Sequence, residues 1–175
     1  MKTLKGNTTR PTADRVKESL FNILAPYLED SEILDLFAGT GSLGIEALSR
    51  GAASAAFVDK SGEACSIIRE NLTHTGMQER STVYSSDFAT AATKLALEGR
   101  KFDIVFLDPP YNKNFIQEAL KILTKNDIIK DDGILAAEHH IDDRLPEIED
   151  GLEMTSSRKY GETVITMFKV RGHTR

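Results

Sequence analysis

The 175-residue sequence predicts an α/β fold, a three-layer sandwich around a mixed sheet of seven strands. Five short apolar segments alternate with helical patterns between residues 32 and 138. Strands spaced in this way form a parallel, doubly wound sheet, because parallel neighbours need long crossover connections. Two segments of period-two alternation then flank Tyr160-Gly161, which indicates a closing antiparallel hairpin. The length fits one domain over residues 1–175.

The first helix is expected over residues 13–27. Thr12 is the predicted cap, and Arg10-Pro11 would give the helix an extended entry. The apolar residues recur at helical spacing along one face, which is expected to pack on the sheet. This stripe consists of Val16, Leu20, Leu24 and Leu28.

The remaining elements follow from the same two periodicities, with Ser61 and Gly76 expected to begin and end one of the helices. Strands are predicted at residues 32–37, 54–58, 81–85, 102–107 and 133–138, and then at 153–159 and 163–170. Helices are predicted between them at residues 42–50, 61–75, 88–98 and 114–124.

Composition excludes several classes of protein. No apolar run is long enough to span a membrane, and the first residues have no signal-peptide core. Cys65 is the single cysteine, so no internal disulfide can form, and the cytoplasm is the expected compartment. Cys65 itself is expected in the core. His139-His140 lack further ligands at metal spacing, so no metal site is expected and both are predicted to be surface residues.

The charge is unevenly distributed although the net charge is −5. Basic residues gather near both ends of the chain, and an acidic stretch surrounds Pro146. Each cluster by itself is typical of a solvated surface. If the two ends meet in the fold, they would form one side that faces a polyanion.

A glycine-rich loop is predicted between the first strand and the next helix, at residues 35–44. Gly39, Gly41 and Gly44 allow a tight turn and a close approach of the backbone to a ligand. This pattern alone would also fit the pyrophosphate loop of an NAD enzyme. Asp35 favours a different ligand, because a carboxylate there repels a pyrophosphate but suits a cationic amino acid moiety.

Further acids are predicted at the carboxyl ends of the next two strands. Asp59 could accept both hydroxyls of a ribose, and Asp87-Phe88 could bracket an adenine. Each acid could instead be a helix cap, since both precede helices. Three acids at successive carboxyl ends nevertheless lie on the side of a parallel sheet where such folds bind ligands.

The fourth strand is followed by Asp108-Pro109-Pro110-Tyr111. An aromatic amino nitrogen is a poor nucleophile, because its lone pair is delocalised into the ring. The Asp108 carboxylate and the Pro109 carbonyl could hold the two N–H bonds, which leaves the lone pair aimed at a methyl group. The prolines stiffen the loop, and Tyr111 offers a stacking surface. The loop therefore predicts transfer of a methyl group to an amino group on a flat base.

Over nearly its whole length, the sequence resembles the bacterial 16S ribosomal RNA guanine-N2 methyltransferases (RsmD-like). Residues 10–22 discriminate best, because glycine loops such as Ala38-Gly39-Thr40-Gly41 and the Asp-Pro-Pro-Tyr loop occur in many amino-methyltransferases. The other matching segments are residues 34–52, 57–60, 102–111 and 159–163.

The resemblance implies a class I (Rossmann-like) fold, S-adenosyl-L-methionine (SAM) as methyl donor, and a guanine of small-subunit ribosomal RNA as acceptor. The substrate would be ribosomal RNA or the assembled small subunit. The segment 1–28 would close over the cofactor, and Asp108, Pro109, Pro110 and Tyr111 would be the catalytic residues. The cofactor-binding residues would be Arg10, Thr12, Asp35, Phe37, Gly39, Gly41, Asp59, Lys60, Asp87 and Phe88.

One departure and three alternatives remain at this point. Family members usually begin with a further short basic segment before the position of Lys5, and its absence is expected to lower RNA affinity more than the rate of the chemical step.

A DNA adenine-N6 or cytosine-N4 methyltransferase would use the same loop, but the chain has no spare length for target recognition. An NAD-dependent oxidoreductase would need a proton donor at the strand ends, and none stands out. A non-catalytic RNA-binding protein could retain the fold.

Overall fold

Eight strands form one mixed sheet in the computed structural model, which describes residues 1–3, 11–111 and 114–172. The seven predicted strands are present, and a two-residue strand adds an eighth at the edge. In chain order the strands are β1 (Glu32–Asp35), β2 (Ser54–Asp59), β3 (Ser81–Ser85), β4 (Phe102–Leu107), β5 (Ile129–His140), β6 (Ile148–Glu149), β7 (Leu152–Tyr160) and β8 (Thr163–Val170).

The strand order is β3-β2-β1-β4-β5-β8-β7-β6. The first five strands run parallel. In this order β2 and β3 lie on one side of β1 and β4 and β5 on the other, so the chain crosses over β1 after β3. β8 is antiparallel to β5 on one side and to β7 on the other. The predicted mixed sheet with its antiparallel closing hairpin is therefore confirmed.

Helices cover both faces of the sheet. The five helices are α1 (Pro11–Leu24), α2 (Ser42–Ser49), α3 (Gly62–Thr75), α4 (Phe88–Leu97) and α5 (Phe115–Lys125). Apolar residues of α1, α2 and α3 form one core with Ile33 and Phe57 of the sheet, whereas those of α4 and α5 pack with Leu34 and Val58. Neighbouring strand residues enter opposite cores because side chains alternate along a strand. The predicted three layers follow.

The signals for α3 act as predicted. The Ser61 hydroxyl accepts a hydrogen bond from the Ala64 N–H at 3.2 Å, which satisfies one of the free donors of the first turn. Gly76 ends the helix with φ of 71°, a left-handed conformation that glycine adopts without steric cost. Cys65 is fully buried on this helix, as expected.

The start of α1 corrects the prediction that Thr12 caps the helix. The helix begins at Pro11, which places Thr12 inside the first turn. Proline suits the first turn because its missing N–H would have no partner there and its fixed φ is already helical. Arg10 lies outside the described residues.

Strand β5 and the segment after it also differ from the prediction. β5 begins at Ile129, well before the predicted start at Gly133, and continues through both histidines. His139 is buried rather than on the surface, and its Nε2 lies 2.7 Å from the Thr166 hydroxyl of β8. Pairing with β4 and β8 determines these bounds, and local sequence shows that pairing poorly.

Candidate active site

Acidic side chains lie at the carboxyl ends of all five parallel strands. Asp35 and Asp59 end β1 and β2, Asp87 and Asp108 follow β3 and β4, and Glu138 lies near the end of β5. Such an edge is where open parallel sheets bind their ligands. We call residues 35–44 with Asp59 the cofactor half of this edge, and residues 108–111 with Glu138 the acceptor half.

The glycine loop adopts the geometry that the sequence predicts. Gly39 and Gly41 have φ of 58° and 82°, in the left-handed region that favours glycine. A Cβ on Gly39 would meet no atom within 4 Å, so the loop leaves open space at this position. A Cβ on Gly44 would lie 2.4 Å from the Phe57 ring, so α2 packs against β2 only with glycine here.

Asp35 is buried and only half satisfied. Its Oδ2 accepts a hydrogen bond from the Gly44 N–H at 3.1 Å, whereas its Oδ1 has no partner among the described residues. Burial, together with the nearby charge of Asp59, raises the pKa of Asp35 to about 7. Since an unpaired buried acceptor is costly, the free oxygen is the kind of atom that a cationic ligand would satisfy.

Asp59 holds the cofactor half together. Its Oδ2 accepts the Gly39 N–H and its Oδ1 accepts the Ser61 N–H, both at 2.9 Å. The carboxylate therefore connects the glycine loop to the start of α3. Its predicted contact with a ribose stays a prediction, as does the role of the neighbouring Lys60, which is exposed.

Asp87 caps α4, the alternative that the sequence left open. Its Oδ1 accepts the Thr90 N–H at 2.9 Å and its Oδ2 accepts the Thr90 hydroxyl at 2.7 Å. These hydrogen bonds lower the pKa of Asp87, the backbone bond most. A contact between Asp87 and an adenine amine stays a prediction.

Three phenylalanine rings cluster between the two halves of the edge. The Phe37 ring centroid lies 5.2 Å from that of Phe88, and Phe115 lies 6.0 Å from both. All three are partly exposed, so they offer an apolar surface beside the glycine loop. Sequence reasoning missed Phe115. Its signal was its position as the first helical residue after the Asp-Pro-Pro-Tyr loop, equivalent to that of Phe88 after Asp87.

The acceptor half is open to solvent. Tyr111 is 43% exposed and Pro109 beneath it is buried, so the loop is anchored while its ring remains available. The Tyr111 ring lies 5.9 Å from that of His140. Partial burial raises the pKa of Tyr111, which keeps its hydroxyl protonated near neutral pH.

Asp108 and Glu138 form a carboxyl pair in this half. Asp108 has an exposed face, but protein surrounds the rest of its side chain. Burial, then the charges of Glu138 and Asp35, raise its pKa well above the usual range, and burial also raises the pKa of Glu138. Sequence reasoning missed Glu138, although it is the last residue of a predicted strand.

Side-chain contacts hold helix α1 against α2 and the closing hairpin. The Lys17 ammonium donates to the Ser42 hydroxyl at 3.1 Å and lies 3.7 Å from the Glu46 carboxylate, both on α2. The Ser19 hydroxyl hydrogen-bonds to that of Tyr160, at the turn between β7 and β8. The helix thus joins the start of α2 to the closing hairpin. Neither Arg10 nor the Thr12 side chain is among the described parts of the structure.

Neither a metal-binding group nor a membrane-spanning helix is found among the described residues. No group of three or more histidine, cysteine or acidic side chains there is arranged to hold a metal ion. None of the described helices combines the length and the apolar character that crossing a bilayer requires.

The fold, the glycine loop and the acidic carboxyl edge are together those of a SAM-dependent methyltransferase, and solved structures of a methyltransferase and a methylase at 29% and 31% identity share this architecture. The sequence matches the family described as Conserved hypothetical protein 95 over residues 1–169. It is also 32% identical over 160 residues to ribosomal RNA small subunit methyltransferase D of Escherichia coli, an alignment that covers 91% of this chain and 79% of that protein. The chain belongs to this RsmD-like family.

Two further comparisons agree with this assignment. YlbH of Bacillus subtilis is 39% identical over 172 residues, which cover 98% of this chain and 94% of that protein. The solved structure of yhhF from Escherichia coli superposes with a TM-score of 0.82 at 29% identity, over 94% of this chain and 89% of the other. The similarity therefore extends over sequence and structure alike.

The residues of the cofactor half fit SAM. The free Oδ1 of Asp35 is a buried acceptor suited to a cation, and the space at Gly39 leaves room for a ligand against the backbone. The sulfonium and ammonium groups of SAM are cationic, and the acids at this edge favour positive charge. The arrangement of these groups therefore suits SAM as the cofactor.

Proposed function

We propose that this enzyme transfers a methyl group from SAM to the exocyclic N2 amine of a guanine in small-subunit ribosomal RNA. The main support is the acceptor half, where the Asp108 carboxylate accepts no hydrogen bond from the described residues and faces solvent beside Tyr111. Relatives named ribosomal RNA small subunit methyltransferase D, from Escherichia coli and Haemophilus influenzae, support the substrate.

The acceptor loop would hold the amine in a reactive geometry. Asp108 and the Pro109 carbonyl accept its two N–H bonds, which directs the nitrogen lone pair out of the base plane. Tyr111 stacks on the base, an interaction worth about 1–3 kcal/mol in nucleic-acid sites. Bound SAM supplies an electrophilic methyl group on its sulfonium. The N2 amine would give up one proton as its new N–C bond forms and the bond between the methyl group and the sulfonium sulfur breaks, and the Asp108 carboxylate is placed to accept that proton.

The cofactor half would position the donor. Asp35 would bind the cationic amino acid moiety, Asp59 the ribose, and Asp87 the adenine amine, with Phe88 and the other two clustered rings against the adenine face. Residues 1–28, including Arg10 and Thr12, would close over the cofactor as part of a single domain. The tie between α1 and the start of α2 supports a position of that helix beside the glycine loop.

The proposed substrate does not require a separate target-recognition unit in the protein. The described residues are used by the sandwich and its closing hairpin, with no added unit that could serve for target recognition. Ribosomal RNA, or the assembled small subunit in the cytoplasm, presents unpaired bases without the cost of flipping one from a duplex. The basic residues Arg158 and Lys159 are exposed on the hairpin, where they can meet phosphate.

The decisive experiment uses small subunits from a strain that lacks this protein. Purified enzyme and radiolabelled SAM are incubated with these subunits, with their naked RNA and with duplex DNA, and nuclease digestion with mass spectrometry identifies the product. N2-methylguanine at one position in the RNA is the expected result. Label in adenine or cytosine of DNA would contradict the proposal. Calorimetry should show binding of SAM, and binding of NAD alone would exclude this class of reaction.

A further inference from the structure

Glu138 is the residue of the acceptor half whose position best suits recognition of the base. Strand β5 pairs with β4 so that Ala137 lies opposite Leu107, and the next residues in the chain are Glu138 of β5 and Asp108, directly after the end of β4. Side chains at paired positions of parallel strands point to the same side of the sheet. Glu138 also lines a recess whose other walls include Pro109, Tyr111 and Phe115.

The Glu138 carboxylate has spare acceptor capacity. Within residues 1–3, 11–111 and 114–172, it makes no hydrogen bond or ion pair, and Asp108 beside it makes none either. Ionised carboxylates accept hydrogen bonds but cannot donate them. This part of the edge is therefore built for a ligand with several N–H donors.

Guanine is the nucleobase whose amino group adjoins a ring N–H. Its N2 amine and its N1–H lie side by side on one edge, so two carboxylates can accept from both. Adenine and cytosine instead carry an unprotonated ring nitrogen next to their amino group. A carboxylate facing that lone pair has no donor to accept and is left unpaired, which is how a polar site rejects a near-isostere.

We propose that Glu138 is the specificity-determining residue of the acceptor half, which accepts the N1–H of the target guanine while Asp108 accepts from its N2 amine. This inference rests on the proposed function and assigns the choice of base, which the Asp-Pro-Pro-Tyr loop leaves open, to a residue outside that loop. Glu138 holds the base in register, and Asp108 remains the residue that contacts the reacting nitrogen.

The test uses 2-aminopurine, which retains the N2 amine but has an unprotonated N1. Wild type and Glu138→Gln are assayed on two RNAs, one with the guanine located by mass spectrometry and one with 2-aminopurine in its place. For wild type, kcat/KM is expected to be far higher on guanine. Glu138→Gln is expected to lower kcat/KM on guanine by about 10–100-fold, because a charge-assisted hydrogen bond is lost. On 2-aminopurine the same variant should lose nothing or gain, since its amide can donate to N1.

The outcomes separate the two proposals. If wild type methylates neither RNA, the proposed function fails. If wild type methylates the guanine RNA but Glu138→Gln lowers both rates equally, or lowers neither, the role of Glu138 in base choice is wrong. Unfolding temperature and SAM affinity check that the variant is folded. Glu147 is an exposed acid, so Glu147→Gln is the matched control and should behave as wild type on both RNAs.

Discussion

The cofactor half and the acceptor half of the carboxyl edge both depend on acids, but they use them differently. In the cofactor half, three of the four carboxylate oxygens of Asp35 and Asp59 accept backbone N–H groups of the glycine loop and of α3. In the acceptor half, Asp108 and Glu138 accept no hydrogen bond from the described chain, burial raises the pKa of both, and the charge of Glu138 raises that of Asp108 further. One half is already organised by the fold, whereas the other holds unpaired charge that only a substrate would satisfy.

The largest expected effect tests the acceptor half. Asp108→Ala should lower the rate of methyl transfer by at least about 10²-fold, the usual loss when one positioned polar group is removed from a site. SAM affinity should hardly change, because Asp108 is assigned to the acceptor amine. Single-turnover transfer and calorimetry measure the two quantities. A large loss of SAM affinity would place Asp108 in the cofactor half, and Asp131→Ala, an exposed acid of β5, is the control.

The next prediction concerns the cofactor half, where burial of the Asp35 charge is expected to lower the free energy of unfolding. Burial raises its pKa from 3.8 to about 7, so the folded state binds this proton more tightly than the unfolded chain does. The free energy of unfolding therefore falls as pH rises from about 4 to about 7, and the full cost is present above pH 7. Each unit of such a shift corresponds to about 1.4 kcal/mol.

Asp35→Asn should remove this cost. The variant is expected to be more stable than wild type at pH 8, with little difference at pH 4, and to bind SAM more weakly. Urea unfolding of both proteins at the two pH values measures the effect, and calorimetry gives the affinity. The charge of Asp35 also raises the pKa of Asp108, so the difference between the two pH profiles reports Asp35 together with its effect on Asp108. Parallel profiles would mean that Asp35 is not strained by burial.

Gly44 tests the opposite property of the cofactor half, its tight packing. Gly44→Ala would place a Cβ 2.4 Å from the Phe57 ring, and such overpacking typically costs about 1–3 kcal/mol. Thermal unfolding should show a lower midpoint. Gly62→Ala is the matched control, because a Cβ there meets no atom within 4 Å and alanine is slightly favoured in a helix. Equal effects of the two substitutions would contradict the packing argument.

The smallest expected effect concerns the link between α1 and the closing hairpin. Tyr160→Phe removes the hydroxyl that bonds Ser19, which should cost about 1 kcal/mol of unfolding free energy. Ser19→Ala should cost a similar amount, and the double variant should cost less than the sum of the two. Additive losses would show that the two hydroxyls do not act together, and transfer activity would then show whether the link affects either half.

The sequence predicted the cofactor half better than the acceptor half. The glycines from Gly39 to Gly44 must adopt left-handed φ values or avoid a clash, and these are local constraints that a sequence displays. Glu138 depends on the register between β4 and β5, which is set by pairing across many residues of chain. The start of β5 was missed for the same reason, because Ile129 joins the sheet by pairing with Phe102, and a register shift that includes Asp131 and Asp132 separates this pair from the next one.

His139 and His140 show why the burial of a side chain is difficult to predict from local sequence. Polar side chains after a strand suggest a loop, but β8 continues beside β5 and covers His139, whose Nε2 finds the Thr166 hydroxyl. Thr12 was mistaken for a cap because Pro11 before it was interpreted as an extended entry rather than the first helical residue. In both cases a residue type allowed two structures, and for His139 a contact distant in sequence selected one.

The position of β8 has a consequence for the order in which this protein is built during synthesis. β8 is the last strand of the described chain, but it lies between β5 and β7 rather than at the edge of the sheet. Until residues 163–170 have left the ribosome, β5 presents an unpaired apolar edge that can associate with other chains. The acceptor half cannot be completed before that moment, so a nascent chain would acquire the cofactor half first and its base-reading edge last.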